Sequence, residues 1–590
     1  MWAKSLTASV AAVAAVVDTV HAVSQHPLQA DLETFIQEQG KISIAGVLAN
    51  IGPDGSEADG VPPGVVVASP SRSEPDYWYT WTRDAALTYK ALVERFIAGD
   101  SSLQGKIDDY VSAQAQLQEV TNPSGSPTSG GLGEPKFHVN LTQFTGDWGR
   151  PQRDGPPLRA TALSVYANWL ISNDQQAKAE DEVWPVIAKD LAYTVKYWNQ
   201  TGFDLWEEVH GSSFFTLAAS HRALVEGAAL AETLGKDCDG CSDSAPQVLC
   251  FAQSFWISSG GYIDSNINVN DGRTGKDANS ILSSLHTFDS AADKCTDSTF
   301  QPCSSRALSN HKAVVDSFRS EYSINDGIAK GRAVAVGRYS EDVYYNGNPW
   351  YLATLAAAEQ LYAAVYQWNS IGSITVDDVS KGFFADLLPD LAAGTYESGS
   401  ADFGAIIDAV RAYADDFVSV VQKYTPADGA LAEQFGRDDA APLSARDLTW
   451  SYAAFLTAVE RRAGVAAPSW GESGANAVPD VCTAPPACNS RVTFNVRAVT
   501  VPGEDVYVTG SLSELAGWTP ADAKPLSASK YTSADPLWYA EIDLPTERAF
   551  EYKYIKKNGG GNVVWESDPN RRYTTTEGCG GSSSVDDTWR

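Results

Sequence analysis

The sequence predicts an all-α domain followed by a smaller, antiparallel β-sandwich. Apolar residues recur at helical spacing through most of residues 23–470, whereas residues 490–590 consist of short β-rich runs separated by turn signals. A chain of 590 residues is also too long for one ordinary hydrophobic core, so we expect two or more domains.

Seven segments of the first part show the helical pattern most clearly. They are residues 85–97, 159–171, 183–198, 220–234, 306–322, 349–368 and 448–462. Long loops rich in Gly, Pro, Ser and Asp separate them, for example residues 122–133 and 148–157. This pattern predicts a helical toroid or bundle whose loops carry the functional site at one end.

A change of composition separates the two parts. Residues 471–489 are rich in Gly, Ala, Ser and Pro and lack periodicity, which indicates a short linker. Beyond it, residues 491–499, 504–510, 537–544, 549–556 and 563–565 have the composition of strands. About 100 residues of this kind are typical of a β-sandwich.

The N-terminus has the features of a secretory signal peptide over residues 1–22. Lys4 supplies the positive region, residues 6–17 are small and apolar, and Val20-His21-Ala22 is an acceptable cleavage site. The alternative is a short N-terminal helix of the mature protein. No other run approaches ~18 uninterrupted apolar residues, so we predict a secreted, extracellular protein without a transmembrane helix.

Eight cysteines, an even number, fit an oxidising compartment. Their grouping suggests the pairs Cys238–Cys241, Cys295–Cys303 and Cys488–Cys579, which leaves Cys250 with Cys482. A zinc or redox role for the first pair is the competing interpretation, but no second C-x-x-C and no histidine cluster supports it. Asn140 and Asn199 begin N-glycosylation sequons.

The charge of the chain excludes several classes of partner. With 43 Lys and Arg against 74 Asp and Glu, the net charge is −31, which argues against nucleic acid and against anionic membranes. A neutral substrate is compatible with this charge. The 17 Trp and 25 Tyr indicate either a large aromatic core or stacking platforms for sugar rings.

Residues 201–210 concentrate acidic groups around one indole. Asp204, Glu207 and Glu208 surround Trp206. An apolar wall beside a carboxyl group raises its pKa by desolvation, and a carboxylic acid that stays protonated near neutral pH can serve as a general acid. On composition alone, a solvated helix end is the commoner explanation of such a cluster.

Several long blocks resemble fungal glucoamylases, the glucan 1,4-α-glucosidases of glycoside hydrolase family 15, with a C-terminal family 20 starch-binding module. The blocks are YWYTWTRD (77–84), GDWGRPQRDG (146–155), YWNQTGFDLWEE (197–208), GRYSED (337–342), YYNGNPW (344–350) and LSARDLTW (443–450). They occur in the family's order and span nearly the whole mature chain, so they outweigh the interpretation as a solvated helix end.

The resemblance implies an (α/α)6 barrel over residues 23–470 with a pocket at one end. It implies release of glucose from non-reducing ends of starch, amylose and maltooligosaccharides, with inversion, at α-1,4 bonds and more slowly at α-1,6 bonds. Glu207 matches the general acid and Glu433 the general base. An inverting pair must leave ~6.5–9.5 Å between its carboxyl groups for the attacking water.

The same matching assigns substrate-binding residues in the barrel and two glucan surfaces in the sandwich. The barrel residues are Tyr77, Trp81, Arg83, Asp84, Trp148, Asp204, Glu208, Arg338, Trp350 and Trp450. One glucan surface comprises Trp518, Lys553, Trp565 and Asn570, and the other Tyr507, Tyr531 and Trp538. Negative charge on Asp204 and Glu208 is expected to keep Glu207 protonated.

Two departures from the family pattern are present. The linker is short and poor in Ser and Thr, which predicts that the two domains sit close. Phe144 and Phe435 stand where the family leads us to expect Tyr, which predicts a missing hydroxyl near the pocket rim and another near the base. Either could alter substrate preference.

Other chemistry finds no support in the sequence. Residues 264–275 lack the glycine and glutamate of an EF-hand, and residues 272–277 have the wrong glycine spacing for a P-loop. We therefore predict no metal, no cofactor and a monomer. The alternatives to a glucoamylase are a related barrel hydrolase acting on another α-glucan and a non-catalytic starch-binding protein.

Overall fold

The computed structural model describes residues 27–269, 272–482, 489–545, 548–558, 562–575 and 582–590. The predicted signal peptide therefore lies outside the described residues. The chain divides into two compact units, with the boundary at Asp480 and Val481. This boundary falls inside the predicted linker.

The first unit is built from helices that alternate between two concentric rings. The helices are α1 (Pro27–Ala49), α2 (Thr82–Ile97), α3 (Gln104–Leu117), α4 (Gly155–Ser172), α5 (Trp184–Tyr197), α6 (Phe214–Leu234), α7 (Cys241–Ala252), α8 (Asn279–Leu282), α9 (Ser284–Thr287), α10 (Ser305–Ser317), α11 (Tyr351–Ile371), α12 (Lys381–Leu387), α13 (Ala401–Tyr424) and α14 (Thr449–Arg462).

In the described part of the chain, the inner ring closes in the order α2, α4, α6, α8 with α9, α11 and α14, which packs back against α2. Helices α1, α3, α5, α7, α10 and α13 pack outside it. The predicted (α/α)6 barrel is confirmed.

The position of each helix follows from its composition. Helices α4, α6 and α11 are buried along most of their length, as expected of helices that are largely apolar on all sides. Helix α2 is equally buried although it carries Lys90 and Glu94, which form an ion pair with each other. The alanines of α11 allow its neighbours to approach closely. Helix α13 instead buries a single stripe that includes Phe403, Ile406, Val410 and Phe417, which is the pattern of an outer helix.

Short strands connect the helices and support the loops. They are β1 (Tyr79–Trp81), β2 (Lys136–His138), β3 (Gly202–Phe203), β4 (His210–Ser213), β5 (Trp256–Ile257), β6 (Tyr262–Ile263), β7 (Asn266–Ile267), β8 (Ser373–Val376), β9 (Gly394–Glu397), β10 (Gln434–Phe435) and β11 (Pro442–Leu443). Strands β1 and β2 pair antiparallel, with Trp81 opposite Lys136.

The second unit is the predicted β-sandwich. Its strands are β12 (Asn489–Arg497), β13 (Glu504–Gly510), β14 (Lys524–Pro525), β15 (Leu537–Pro545), β16 (Ala549–Asn558), β17 (Val563–Trp565), β18 (Arg571–Thr574) and β19 (Ser582–Thr588). One sheet has the order β15-β12-β19, and the other β14-β13-β16-β17 with β18 also paired to β16. Phe494 of the first sheet contacts Phe550 and Tyr552 of the second.

One pair of strands departs from the predicted antiparallel arrangement. Strands β12 and β19 run parallel, whereas β12 and β15 are antiparallel. The two parallel strands are the first and last of the unit, so no hairpin connection forces them to run in opposite directions.

Part of the predicted linker packs against the helical unit. Asp289 accepts hydrogen bonds from the backbone N–H groups of Gly471 and Glu472, and Ser298 donates to the carbonyl of Asn476. Glu472 is fully buried. Residues 471–476 therefore belong to the helical unit, because these backbone groups find partners there rather than in water.

Disulfides join Cys238 to Cys241 and Cys295 to Cys303. Cys250 and Cys482 each take part in a disulfide, and the predicted bond between them stays a prediction. Cys488 and Cys579 lie outside the described residues, so their predicted pairing stays a prediction. Within the described ranges, no helix combines the length and hydropathy that a bilayer span requires.

Candidate active site

A pocket of about 570 Å³ opens at the end of the barrel where the inner helices begin. Eleven of the twelve barrel residues predicted to act in catalysis or substrate binding line it, and Asp204 is the exception. They are Tyr77, Trp81, Arg83, Asp84, Trp148, Glu207, Glu208, Arg338, Trp350, Glu433 and Trp450. Residues that are up to 373 positions apart in the chain thus meet in one cavity.

The starts of the inner helices explain this convergence. Arg83 and Asp84 lie in the first turn of α2, Trp350 immediately precedes α11, and Trp450 is the second residue of α14. Since the inner helices run in the same direction around the ring, their first turns and the loops before them share one end of the barrel.

Glu207 lies in a tight turn between β3 and β4. Its φ is +68°, a left-handed conformation that is uncommon for a residue with a side chain. Asp204 stabilises the turn, because its Oδ1 accepts from the backbone N–H groups of Glu208 and Val209. The amide of Asn266 donates to the other oxygen of Asp204.

Asp204 therefore does not act as predicted. It is completely buried and does not line the pocket. One of its carboxylate oxygens accepts hydrogen bonds within the turn, and the other accepts from the amide of Asn266. The prediction that it binds substrate is wrong in this structure. Its contacts make it a residue that holds Glu207 in place.

Burial raises the pKa of Glu207 to about 7. The guanidinium of Arg83, whose Nη2 donates to Oε1 of Glu207 over 3.0 Å, opposes this rise, and the carboxylate of Asp84 adds to it. Burial also raises the pKa of Asp84 to about 6, against the effect of Arg83. Glu207 is consequently protonated in mildly acidic solution.

The like charge that favours protonation of Glu207 is Asp84, not Glu208 or Asp204 as we predicted. The negative charge of Glu208 is balanced by two arginines. Arg338 Nη2 lies 2.8 Å from its Oε1, and Arg273 Nη2 lies 2.9 Å from its Oε2. Burial alone would raise the pKa of Glu208, but Arg338, the Tyr339 hydroxyl and Arg273 bring it below its ordinary value.

Glu433, the second carboxylate, directly precedes β10 and is almost fully buried. Its Oε2 accepts hydrogen bonds from the Ser444 hydroxyl and from the Gln434 amide. Burial raises the pKa of Glu433, and the Ser444 hydrogen bond opposes the rise. The Tyr77 hydroxyl, 3.1 Å from that of Tyr344, completes this side of the pocket.

Aromatic residues form the pocket wall, and several of them were missed. Tyr79, Trp206 and Tyr344 line the cavity, as does Lys136. The alternation of Tyr77, Tyr79 and Trp81 along an extended segment places all three on one face, so period-2 spacing could have predicted Tyr79. For Trp206, the sequence predicts only a position beside the acid.

Trp206 is fixed by a second layer of contacts. Its indole N–H donates to Asp277 over 2.8 Å, and its ring lies 5.4 Å from that of Trp350. Burial raises the pKa of Asp277 to about 8, against the hydrogen bonds from the Asn279 N–H and the Trp206 indole.

The two unusual phenylalanines lie in different environments. Phe435 is fully buried among Tyr351 and Tyr424 and does not line the pocket, so the predicted loss of a hydroxyl beside the base has no support. Phe144 packs edge-to-face against Trp148 at the pocket wall, with ring centroids 5.9 Å apart. Its effect on substrate preference stays a prediction.

In the sandwich, one of the two predicted glucan surfaces is clearly accessible. Trp565 is 40% exposed, and its ring lies 6.5 Å from that of the half-buried Trp518. Lys553 is buried and paired with Asp568, and Asn570 donates to Glu551. Lys553 and Asn570 therefore lie at the edge of this surface, and their side chains already contact other residues of the protein.

The second predicted surface is less open. Tyr507 and Tyr531 are half-buried, but Trp538 is only 5% exposed and belongs to the sandwich core. It packs edge-to-face on Tyr531. The expectation that Trp538 presents a free binding face is not met, because its side chain points between the sheets.

Among the described residues, no group of His, Cys, Asp and Glu side chains is arranged to hold a metal ion. The pocket combines a protonated buried glutamate, a second buried glutamate, and walls of indole and phenol rings. Such a combination defines a site for carbohydrate cleavage by acid and base.

Comparison with known proteins supports the conclusion that this pocket cleaves carbohydrate. Residues 41–460 match the family described as glycosyl hydrolases family 15, and residues 489–585 match a starch binding domain. The chain belongs to family 15 of the glycosyl hydrolases and is a glycoside hydrolase with the activity of a glucan 1,4-α-glucosidase.

Individual relatives cover nearly the whole chain. It is 52% identical to the glucoamylase of Neurospora crassa, with 95% of each protein covered. A family 15 glucoamylase structure from Hypocrea jecorina superimposes with a TM-score of 0.75 at 51% identity, covering 95% of this chain and 100% of that one. The Hormoconis resinae glucoamylase has the same TM-score at 52% identity, with 95% and 98% covered.

We predict that the side-chain carboxyl of Glu207 titrates with a midpoint near pH 7 rather than near 4.5, because burial disfavours its charged form. Carbon-13 NMR of glutamate-labelled protein, with the signal assigned by its absence from Glu207→Gln, measures this directly. Glu208 serves as the internal control, since its titration should lie below the ordinary range. A midpoint for Glu207 near 4.5 would contradict the account.

Proposed function

We propose that the enzyme is exo-acting and inverting, and that it releases β-D-glucose from non-reducing ends of starch and maltooligosaccharides. Cleavage of α-1,4 bonds is faster than cleavage of α-1,6 bonds. The observation that carries this proposal is the pairing of a buried, protonated Glu207 with a second buried carboxylate, Glu433, in one pocket.

Glu207 acts as the general acid. With a pKa of about 7, it holds its proton in mildly acidic solution and can deliver it to the glycosidic oxygen as the bond breaks. Arg83, already 3.0 Å from its Oε1, then stabilises the carboxylate that remains. The same contact therefore orients the acid before the step and lowers the energy of its conjugate base afterwards.

Glu433 acts as the general base. Ser444 and Gln434 both donate to Oε2, so the plane of the carboxylate is fixed before a water molecule arrives. Its ionised form takes a proton from this water, which attacks the anomeric carbon from the face opposite the leaving group. Attack from that face inverts the configuration, so an α-linked glucan yields β-glucose.

The buried polar groups of the pocket select the ends of glucan chains. Arg83 and Asp84 lie in the first turn of α2, and Arg338 is held by Asp342 through two hydrogen bonds of 2.8 and 2.6 Å. Buried groups held in fixed positions in this way can bind the hydroxyls of a terminal glucose and thereby select for chain ends. Aromatic walls cover the apolar faces of the sugar rings.

The starch-binding domain supplies attachment to insoluble substrate through Trp518 and Trp565. Two indole rings at one exposed edge provide faces for adjacent glucose units, and no packing role explains the exposure of Trp565. Attachment raises the effective concentration of glucan ends near the enzyme. We further propose that the protein is secreted, on the basis of its N-terminal sequence and its disulfides, and that it is a monomer.

Replacement of Glu207 by Gln is expected to reduce kcat/KM on maltotriose by about 100-fold or more, because the amide has no proton to donate. Glucose release is the measurement. Adsorption to starch granules should remain unchanged and serves as the control for folding. Activity close to wild type would show that another group is the acid.

Replacement of Trp565 by Ala is expected to weaken adsorption to starch granules about tenfold, since a stacking face is lost. Hydrolysis of soluble maltotriose should be unaffected. Val564→Ala is the matched control, because Val564 is also exposed but its side chain points to the other face of β17. Equal adsorption by both variants would remove Trp565 from the binding surface.

A further inference from the structure

The turn that carries Glu207 is held by two side chains that do not line the pocket. Asn266 donates to Asp204 over 3.2 Å, and Asp277 accepts from the indole N–H of Trp206 over 2.8 Å. Trp206 directly precedes Glu207 and is 6% exposed, while Asp277 is 3% exposed. Asp277 therefore contacts the residue next to the acid from behind the wall of the pocket.

Asp277 is itself fixed by its neighbours. Its Oδ1 also accepts from the backbone N–H of Asn279 over 2.7 Å, at the start of α8. The backbone of Asp277 forms an antiparallel bridge with that of Tyr339, and the N–H of Ala278 donates to the carbonyl of Arg338 over 2.8 Å. Asp277 thus joins three parts of the site: the acid turn, an inner helix and the segment that carries Arg338.

The indole of Trp206 transmits this support to the acid. Its ring forms part of the pocket wall, 5.4 Å from the ring of Trp350 and 5.6 Å from the guanidinium carbon of Arg338. A buried donor that loses its acceptor costs free energy, so without Asp277 the indole would turn toward another acceptor. Because Trp206 and Glu207 are consecutive residues of one tight turn, such a rotation displaces the carboxyl of Glu207.

We propose that Asp277 is a positioning residue for the general acid, since its carboxyl fixes the indole of Trp206 and thereby the orientation of Glu207 toward the glycosidic oxygen. This inference rests on the proposed function and goes beyond it, because Asp277 touches no substrate and lies in none of the sequence blocks that predicted the site. Through its link to the segment of Arg338, Asp277 also fixes the acid turn relative to a residue that binds substrate.

The charge state of Asp277 agrees with this role. Burial raises the pKa of Asp277 to about 8 and Asp204 adds to the rise, whereas the hydrogen bonds to its Oδ1 and the charge of Arg273 oppose it. Asp277 is therefore protonated in the mildly acidic range in which Glu207 keeps its proton. An amide has the same shape and the same acceptor oxygen as a protonated carboxyl, so asparagine is a close substitute at this position.

The test compares Asp277→Leu, which has a similar shape but no acceptor, with Asp277→Asn, which keeps the acceptor oxygen. For Asp277→Leu we expect kcat on maltotriose to fall about 10- to 100-fold while KM changes by less than about threefold, because the acid is misplaced and the sugar contacts remain. Asp277→Asn should stay within about threefold of the wild-type kcat. Equal losses of kcat in the two variants would overturn the proposal.

The pH profile supplies a readout that a loss of stability alone would not move. The alkaline limb of Asp277→Leu should lie at lower pH than that of the wild type, since water that enters the loosened turn weakens the burial that raises the pKa of Glu207. Arg83, Asp84 and Lys136, the charged groups that act on Glu207, are unchanged in this variant. An unmoved limb together with the wild-type kcat would overturn the proposal.

A double-mutant cycle with Trp206→Phe isolates the contact. Phenylalanine keeps an aromatic ring at the pocket wall but has no N–H. In the Trp206→Phe background, Asp277→Leu should lower kcat by less than about threefold, because the donor that requires the acceptor is already gone. Effects of the two substitutions that simply multiply would overturn the proposal.

Asp377→Leu is the matched control. Asp377 is half-buried outside the pocket, and its Oδ1 accepts from the backbone N–H two residues later, as that of Asp277 does. It should keep the kcat and the pH profile of the wild type. A kcat that falls equally in Asp377→Leu and Asp277→Leu would trace the effect to stability and overturn the proposal, whereas a wild type that does not hydrolyse maltotriose would overturn the proposed function.

A second measurement covers the case in which Asp277→Leu does not fold. In protein with nitrogen-15-labelled tryptophan, the indole N–H signal of Trp206 is assigned by its absence from Trp206→Phe. This signal should shift with a midpoint near pH 8 as Asp277 ionises, and the shift should vanish in Asp277→Asn. A signal that Asp277→Asn leaves unchanged, or a Trp206→Phe enzyme with the kcat and pH profile of the wild type, would overturn the proposal.

Discussion

The catalytic end of the barrel depends on one buried guanidinium. Arg83 is 4% exposed, and it donates to Gln152 over 2.8 Å, to Asp154 over 2.9 Å and to Glu207 over 3.0 Å, while Asp84 lies 3.8 Å away. These contacts tie the start of α2 to the loops before α4 and α6. Burial raises the pKa of Glu207 to about 7 against the opposing charge of Arg83, so the cluster retains a proton in mildly acidic solution. That proton on Glu207 makes cleavage by acid possible.

The barrel holds this arrangement of charged groups in a fixed geometry. Its inner helices are buried on nearly all sides, so their first turns cannot shift without disturbing the core. Each carboxylate also has its own support: Asp204 holds the left-handed turn of Glu207, and Ser444 with Gln434 holds Glu433. The charges of Glu208 are balanced separately by Arg338 and Arg273. The pocket thus contains two groups of residues: those that take part in the reaction and those that hold the reacting residues in position.

The sequence predicted the fold class, the two carboxylates of the pocket and nine other residues that line it, but not how the charges of the pocket are shared. Helical periodicity predicted the long inner helices but not α8 and α9, because four residues are too few to show a helical period. Strand β19, which reads Ser-Ser-Ser-Val-Asp-Asp-Thr, was missed because only its pairing with β12 makes it a strand. Proximity in sequence wrongly made Asp204 and Glu208 the electrostatic neighbours of Glu207. Asp84 and Lys136, which lie 123 and 71 positions away, act on it instead, and only the fold brings them there.

The central claim is that Glu207 and Glu433 form an inverting acid and base pair. Proton NMR of the first products from maltotriose tests it most directly, because the anomeric signals of α- and β-glucose are resolved before mutarotation mixes them. The account predicts fresh β-glucose, with maltose as the other product. Fresh α-glucose would contradict it, since retention requires a covalent intermediate in place of water activated by Glu433.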